Sequence, residues 1–429
     1  MEAEHRANRL LIVGLDGMPY RLIEAMTDQG VMPSLRELIS AGWFRKMASA
    51  IPEVSCVSWS SIITGTNPGM HGIYGFTDVM DEGYGIRFPN YDSLAVAPFW
   101  ERDADRPTVV LNVPATYPAR PMNGVHVAGF VAPKLGKAVY PPSWGPRLME
   151  MGYRIDVDSQ RGHQSTDLFL DDLNQTLQAR VAAAQRLWEE VPWTTFMLVF
   201  TGTDRLAHFL WDAYEDETHA YHEAFLDHLR RVDSAIGQLV ARLEPDDAVL
   251  VLSDHGFERL DTNVSLNAVL QRHGLLNIEG ERAHLRGITR DSKAFALDPG
   301  RVYLHTSGRF PRGCVMSRDR ERVLRDLVCL LEGLEIDGKR VLRSVFRREE
   351  IYQGPLLPKA PDLVLVAGEG FNLKAGFQSQ ADVDNGPFTG KHSQPDAFLI
   401  AAGLDEPSAD KALDVTDVLK IIEPAQSRR

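Results

Sequence analysis

Cysteine is scarce in this chain: Cys56, Cys314 and Cys329 are the three among 429 residues, and none forms a CxxC pair. An odd, sparse set excludes a disulfide framework and fits a reducing compartment. Basic residues fall short as well, with 46 Lys and Arg against 59 Asp and Glu and a net charge of −13. Such a surface repels phosphate backbones and anionic lipid, so neither a nucleic-acid polymer nor a membrane is an expected partner. Long apolar runs are missing too. The first, Leu10 to Gly14, is far too short to span a bilayer, and the opening residues show no basic region followed by an apolar stretch. The expectation is a soluble, cytoplasmic protein. Internal repeats and low-complexity tracts are also lacking.

What remains is ordinary globular composition, 44% hydrophobic and 24% charged, on a chain too long for one small core. The run Leu10-Leu11-Ile12-Val13-Gly14-Leu15-Asp16-Gly17 predicts a buried parallel strand that ends in a carboxylate, where α/β folds place ligands. Pro33 opens a helix through Ser40 that Gly42 stops, and strands follow at Thr108 to Val113 and Val125 to Phe130. A helix from Asp167 to Glu190 leads to the strand Thr195 to Phe200. Another helix, His219 to Leu243, leads to the strand Ala248 to Leu252. Thr203-Asp204 and Ser253-Asp254-His255-Gly256 follow those two strands, so three strands deliver carboxylates to one sheet edge. Later come a helix at Ser317 to Leu334, strands at Asp362 to Val366 and Ala397 to Ala401, and a helix at Val415 to Ile422 before a frayed Gln426-Ser427-Arg428-Arg429. The pattern predicts an α/β core from 1–256 and 360–429, with 257–359 inserted as a cap on the substrate side.

Asp204 and His208 are four apart, on one face if the segment is helical, and could reach a single cation. Asp254 and His255, at a strand-to-loop junction, could flank another. His392 is expected at a glycine-containing turn, where a surface histidine is the plainer reading. With Asp16, these residues supply six N and O ligands, enough for two metal sites with open positions. The segment Pro52 to Ile73 adds hydroxyls near a short helix expected over Ser58 to Thr64. Ser55 is a candidate nucleophile and Ser58 a candidate substrate contact, since a helix N-terminus favours an alkoxide and a phosphate. Capping of that helix is the plainer role for either.

In order, the chain carries Leu-Asp16-Gly, Ser55 nine residues before Thr64-Gly65, Asn67-Pro68-Gly69-x-His71-Gly72-Ile73, Thr203-Asp204-x-x-x-His208, Asp254-His255-Gly256 and Gly390-x-His392. This series resembles the alkaline phosphatase superfamily, with its nearest likeness in the type I phosphodiesterase/nucleotide pyrophosphatase branch and the related phosphohydrolase/phosphomutase proteins. The resemblance implies a three-layer sandwich around a mostly parallel sheet. It further implies one metal on Asp16, Asp254, His255 and the nucleophile Ser55, a second on Asp204, His208 and His392, and a covalent phosphoserine intermediate. The metals are divalent, Zn²⁺ by ligand type with Mn²⁺ compatible. Many members have Thr where this chain has Ser55, and an Asn soon after the His-Gly-Ile block, where this chain reads Tyr74-Gly75-Phe76.

The expected activity is hydrolysis of phosphoester or phosphoanhydride bonds in a small phosphorylated substrate, nucleotides included. A phosphomonoesterase or phosphomutase acting on a small metabolite would use the same residues, and a non-catalytic metal-dependent binder is the alternative outside enzymes. A sulfatase does not fit, because Cys56 is followed by Val57, Ser58, Trp59 and Ser60 without the Pro and Arg that branch requires. His71, in a turn built from Asn-Pro and Gly, is expected to be structural. Arg301, Arg309, Arg312 and Lys391 could meet a remote anionic group, though solvated side chains are the plainer reading.

Overall fold

Leu10–Leu15 (β1) is buried along its whole length, as a continuous apolar run between two neighbouring strands must be. The computed structural model describes residues 9–80, 83–280, 284–378, 381–384 and 386–427; the first eight residues and Arg428-Arg429 of the expected frayed end lie outside them. The other strands of the main sheet are Trp43–Ala48 (β2), Thr108–Val113 (β3), Gly124–Ala128 (β4), Val139–Tyr140 (β5), Thr195–Phe200 (β6), Ala248–Leu252 (β7), Ala397–Ala402 (β8) and Leu413–Asp414 (β9). Their order is β9-β2-β8-β7-β1-β6-β3-β4-β5, which puts β1 at the centre. It runs parallel to β6 and β7, and β3 runs parallel to β6 and β4. Only β8, antiparallel to both β7 and β2, and the edge strand β5 run against this direction. Gly14 pairs with Val199 on one side and Leu252 on the other, so the ends of β1, β6 and β7 fall on one edge.

Helices cover both faces. Leu11, Val13 and Leu15 enter a core shared with Tyr20–Asp28 (α1), Pro33–Ala41 (α2), Thr166–Glu190 (α4), Gly202–Glu215 (α5) and His222–Val240 (α6). On the opposite face, Ser55–Thr64 (α3) lies against Gly14 through Trp59, with Val418–Ser427 (α7) beside α3. A helix as polar as SCVSWSSIIT can be buried on every side because its hydroxyls bond its own carbonyls: Ser60 to Cys56 at 2.6 Å, Ser61 to Val57 at 2.9 Å and Thr64 to Ser60 at 2.6 Å. Gly65, at φ 61°, then ends it. The start of α2 is held from another helix, where Asp233 of α6 accepts from the N–H groups of Ser34 and Leu35, each at 2.9 Å.

The chain divides into two units, one of residues 1–66, 90–257 and 392–429, the other of 67–89 and 258–391. The main core therefore resumes at His392 and not at 360. Leu363–Ala367 is no core strand; it pairs with Arg301–Leu304 and with Leu342–Arg347 in a four-stranded sheet of the second unit. Segment 67–89 joins that unit too, because the buried Arg301 guanidinium donates to the Thr77 carbonyl at 2.6 Å and occupies the space a side chain at Gly75 would need. Further departures are local. His392 lies on the short strand Gly390–Ser393, not on a turn, and the last helix continues through Gln426 and Ser427. Helix α1 and the half-polar strand β2 had no counterpart in the sequence reading. Among the described residues, no helix is long and apolar enough to cross a membrane.

Candidate functional site

Three parallel strands end side by side, and each releases its carboxylate at once: Asp16 after β1, Asp204 two residues into α5 after β6, and Asp254 after β7. All three are buried. Gly17, at φ +70°, turns the chain so that its N–H donates to Asp254 Oδ1 at 3.1 Å, and a Cβ there would press on Asp204 at 3.2 Å. Asp204 and His208 share a face of α5 as the four-residue spacing requires, with Asp204 Oδ1 3.5 Å from His208 Nε2 and 3.1 Å from His392 Nε2. His255 Nε2 lies 3.6 Å from Asp16 Oδ1 and 3.4 Å from Asp254 Oδ2. The two groups touch, since the His255 and His392 rings stack at 3.8 Å and His255 Nε2 is 4.0 Å from Asp204 Oδ1.

Both sets of ligand atoms, Asp16, Asp254, His255 and Asp204, His208, His392, are close enough to hold one cation each. The proton arrangement fits this. His255 Nδ1 faces the Gly256 carbonyl at 3.0 Å and His392 Nδ1 faces that of Glu53 at 2.8 Å, which places a proton on each Nδ1 and would leave Nε2 for a cation. Without a cation, burial lowers the His392 imidazole, but Asp204 outweighs it and holds the group above its ordinary value. Asp254 Oδ2 is buried without a hydrogen-bond donor, which is costly unless a cation meets it. Burial, followed by repulsion from Asp254 and Asp204, pushes the Asp16 carboxyl well up. Burial, with Asp204 adding, pushes Asp254 up to about 7. Burial also raises Asp204, but His208, His392 and Arg205 outweigh it and hold this carboxyl below the ordinary range. His255 is pushed well down by burial and by His392. Asp16 and Asp254, crowded acids that resist ionisation, are what a divalent cation would relieve, while Asp204 is already offset by the positive charge around it.

Ser55 is the first residue of α3, and its hydroxyl lies 3.2 Å from Asp16 Oδ1 and 3.3 Å from His255 Nε2. Val54 is the N-cap and no side chain caps the helix, so the capping role considered for Ser55 and Ser58 is not realised. Ser58 is turned into the interior, where its hydroxyl meets that of Ser49 at 2.9 Å, away from the ligand groups. The expected substrate contact at Ser58 is therefore corrected, because its buried hydroxyl is engaged by that of Ser49. His71 is buried, with Nδ1 accepting from Ile73 N–H at 3.2 Å. The basic candidates do not converge on an open anion site either. Arg309 donates to the Lys359 carbonyl at 2.7 Å, Arg312 donates to that of Arg286, and Lys391 pairs with Glu258 at 2.7 Å.

Several residues that orient the ligands escaped the sequence reading. Trp59 Nε1 donates to Asp16 Oδ2 at 3.3 Å, Thr203 Oγ1 to the Asp16 carbonyl at 2.6 Å, and Arg205 to Asp204 Oδ2 at 3.0 Å. Thr203 and Arg205 flank a recognised ligand, which was the available signal. Trp59 is one helical turn after Ser55, a relation hidden by starting the helix at Ser58. Phe257 walls the site, its ring 4.8 Å from that of His208 and 5.4 Å from that of His392.

Residues 10–394 match the type I phosphodiesterase/nucleotide pyrophosphatase family. The chain belongs to that family. It lies within the alkaline phosphatase superfamily, and membership supports a phosphoester-cleaving hydrolase. Phosphonoacetate hydrolase from Sinorhizobium meliloti, solved with phosphonoformate, is similar in structure with a TM-score of 0.64 at 16% identity, over 99% of this chain and 96% of that one. Human ectonucleotide pyrophosphatase/phosphodiesterase 5 gives 0.56 at 12% identity, over 97% and 95%. An inactive murine form of the latter in complex with AMP gives 0.57 at 12%, over 98% and 96%. At these identities the likeness is one of fold. Curated protein sequences contain no match to the chain.

Proposed function

We propose that this family member cleaves phosphoester or phosphoanhydride bonds of a small phosphorylated substrate, nucleotides included, with two divalent cations and Ser55 as nucleophile. The observation that carries the reading is the position of Ser55 Oγ, at the head of a buried helix and within 3.3 Å of both Asp16 and His255. Asp16, Asp254, His255 and Ser55 would hold one cation, and Asp204, His208 and His392 the other, with Zn²⁺ suiting the mixed oxygen and nitrogen donors and Mn²⁺ compatible. Cations bound there supply the charge that offsets phosphoryl oxygens and draws a serine hydroxyl toward alkoxide.

The protein's own groups do the positioning. Asp16 Oδ1 accepts from the Ser55 hydroxyl and fixes the direction of Oγ, while Trp59 fixes Asp16 from its other oxygen. The start of α3 presents its positive dipole end to a phosphoryl oxygen placed beside Ser55. Ser55 Oγ bonds phosphorus as the bond to the leaving oxygen breaks, and the proton lost from Ser55 passes, through Asp16 or solvent, to the leaving oxygen, giving a phosphoserine and the free alcohol or phosphate. Water then attacks that phosphorus and Ser55 departs as the restored hydroxyl. No separate histidine base is needed, in keeping with His255 and His392 being committed as Nε2 donors.

The test compares matched aryl phosphomonoesters and phosphodiesters, with phosphonoacetate as a third probe, on protein loaded with Zn²⁺ or Mn²⁺ and with Ser55→Ala as control. Acid quenching during turnover of a phosphorus-labelled substrate should leave label on Ser55. Faster diester cleavage supports the phosphodiesterase reading. Faster monoester cleavage moves the assignment to a phosphatase, and accumulation of an isomer moves it to a mutase. Metal-loaded protein with no Ser55-dependent turnover on any probe overturns it.

A further inference from the structure

Arg205 follows Asp204 in the chain, and its guanidinium is engaged on three sides. Nη1 donates to Asp204 Oδ2 at 3.0 Å. Nη2 and Nε both donate to Asp156 Oδ2, at 2.7 and 3.3 Å. One face lies over the Phe130 ring, with the guanidinium carbon 4.6 Å from its centroid. Asp156 is held in turn, because its Oδ1 accepts from Thr201 Oγ1 at 3.3 Å and Thr201 Oγ1 accepts from Arg180 Nη1 at 3.0 Å. Arg180, buried on α4, also binds the carbonyls of Arg154 and Ile155 at 3.3 and 2.6 Å and so pins the segment that carries Asp156. The result is a braced line from α4 to the metal-facing edge: Arg180, Thr201, Asp156, Arg205, Asp204.

A structural ion pair would be complete with Arg205 and Asp156 alone. The contact to Asp204 adds something else, because Asp204 divides its two oxygens. Oδ1 faces His208 and His392, whereas Oδ2 is taken by Arg205. A carboxylate engaged in this way favours giving a cation Oδ1 alone, because the charged donor at Oδ2 both occupies a lone pair and repels a cation from that side. The other ligand group has no ionic brace: Asp16 Oδ2 meets the neutral Trp59 N–H, Asp254 Oδ1 meets a backbone N–H, Asp254 Oδ2 meets no donor, and Arg205 reaches Asp16 by charge alone and not by a hydrogen bond.

We infer that Arg205 is a positioning residue which, braced by Asp156 and Phe130, confines Asp204 to single-oxygen ligation and so tunes the cation site of Asp204, His208 and His392 more strongly than its neighbour. The inference rests on the two-cation reading above. Lysine is no substitute, since a single ammonium cannot bridge two carboxylates in a plane while stacking on an aromatic face.

The test is a competitive Zn²⁺ titration of metal-free protein against a chromophoric chelator, on the full chain and on Arg205→Lys, Asp156→Asn and the double variant. Visible spectra of the same proteins loaded with Co²⁺ report coordination number. The wild-type chain should bind two ions. Each single variant should lose about 10–100-fold in affinity at one site, the usual effect of removing an outer partner of a ligand, and change clearly less at the other. The double variant should be no worse than the weaker single one, because both act through the same carboxylate. The Co²⁺ absorption should weaken, as a freed Asp204 adds its second oxygen. Asp156→Asn is close to isosteric and serves if Arg205→Lys does not fold. Variants that titrate like wild type with unchanged spectra overturn the inference alone, as does an equal loss at both sites. Wild-type protein that binds no divalent ion overturns the two-cation reading and this inference with it.

Discussion

Replacing Gly14 by alanine should destabilise this protein, although in most strand interiors the same change is favourable by about 0.5–1 kcal/mol because it restricts the unfolded chain. A Cβ at Gly14 would stand 2.3 Å from Trp59 Cη2 and 2.9 Å from Val199 Cγ2, closer than carbon atoms can approach. Trp59 is fully buried and cannot swing into solvent. Overpacking of this kind costs about 1–3 kcal/mol. A ring that yields by moving also gives up its 3.3 Å hydrogen bond to Asp16 Oδ2, worth about 0.5–1.5 kcal/mol for a carboxyl that burial keeps from ionising. Net of the backbone gain, a loss of about 0.5–4 kcal/mol is expected. Urea unfolding followed by far-ultraviolet circular dichroism reads it as a lower midpoint at constant slope. The decisive comparison is the Trp59→Phe background, where the far end of the indole is gone and the cost of Gly14→Ala should fall by more than half, a coupling of about 1 kcal/mol or more. Zn²⁺ affinity should drop alongside stability in the single Gly14 variant, because the displaced indole no longer orients Asp16. An unchanged or raised midpoint for Gly14→Ala in the wild-type background would refute the packing argument.

Ser55→Ala should reduce phosphoester hydrolysis by at least about 10³-fold while leaving two bound cations, read by turnover and metal analysis side by side; retained turnover would point to direct attack by water. Exhaustive chelation should abolish activity and lower the unfolding temperature, and returning Zn²⁺ at about 1,000 times its Kd should restore about 4 kcal/mol of stability for each site filled. Burial holds the imidazoles of His71 and His126 down to about 3 and that of His228 to about 4. Their folded values lie below the unfolded 6.5, so the unfolded chain takes up protons first. The stability they permit is complete above pH 6.5 and declines as the pH falls toward 4. Asp254, raised to about 7 in metal-free protein, acts in the opposite sense, so the histidine effect is isolated by difference. His126→Leu should flatten the fall in urea midpoint between pH 6.5 and 4, and an equally steep fall would exclude His126 as a source.

The central strands could be read directly, because Leu10 to Leu15, Thr195 to Phe200 and Ala248 to Leu252 are buried on both faces and so are apolar without alternation. The same reasoning found Asp16, Asp204 and Asp254, since a carboxylate just beyond such a run has an open edge to face. It missed β2, whose sequence Trp43-Phe-Arg-Lys-Met-Ala48 is half polar as suits a strand near the sheet's margin, and it placed Leu363–Ala367 in the wrong sheet. An apolar run states that a strand will be buried and does not state which strands will bury it. His392 shows the same limit. Its turn-like surroundings suggest a surface histidine, whereas the strand Gly390–Ser393 and the Glu53 carbonyl aim its Nε2 at Asp204.

Residue type and order along the chain were enough to indicate the α/β class through local periodicity and, through the likeness of the motif series to a known superfamily, to single out six metal-ligand candidates and Ser55. Only the tertiary structure decided that Ser58 turns inward, that Arg301 serves the second unit's interior, and that Trp59 and Arg205 divide the oxygens of Asp16 and Asp204. Those outcomes depend on distances and directions between residues remote in sequence, set when the helices settle on the sheet. A linear pattern carries no record of that geometry.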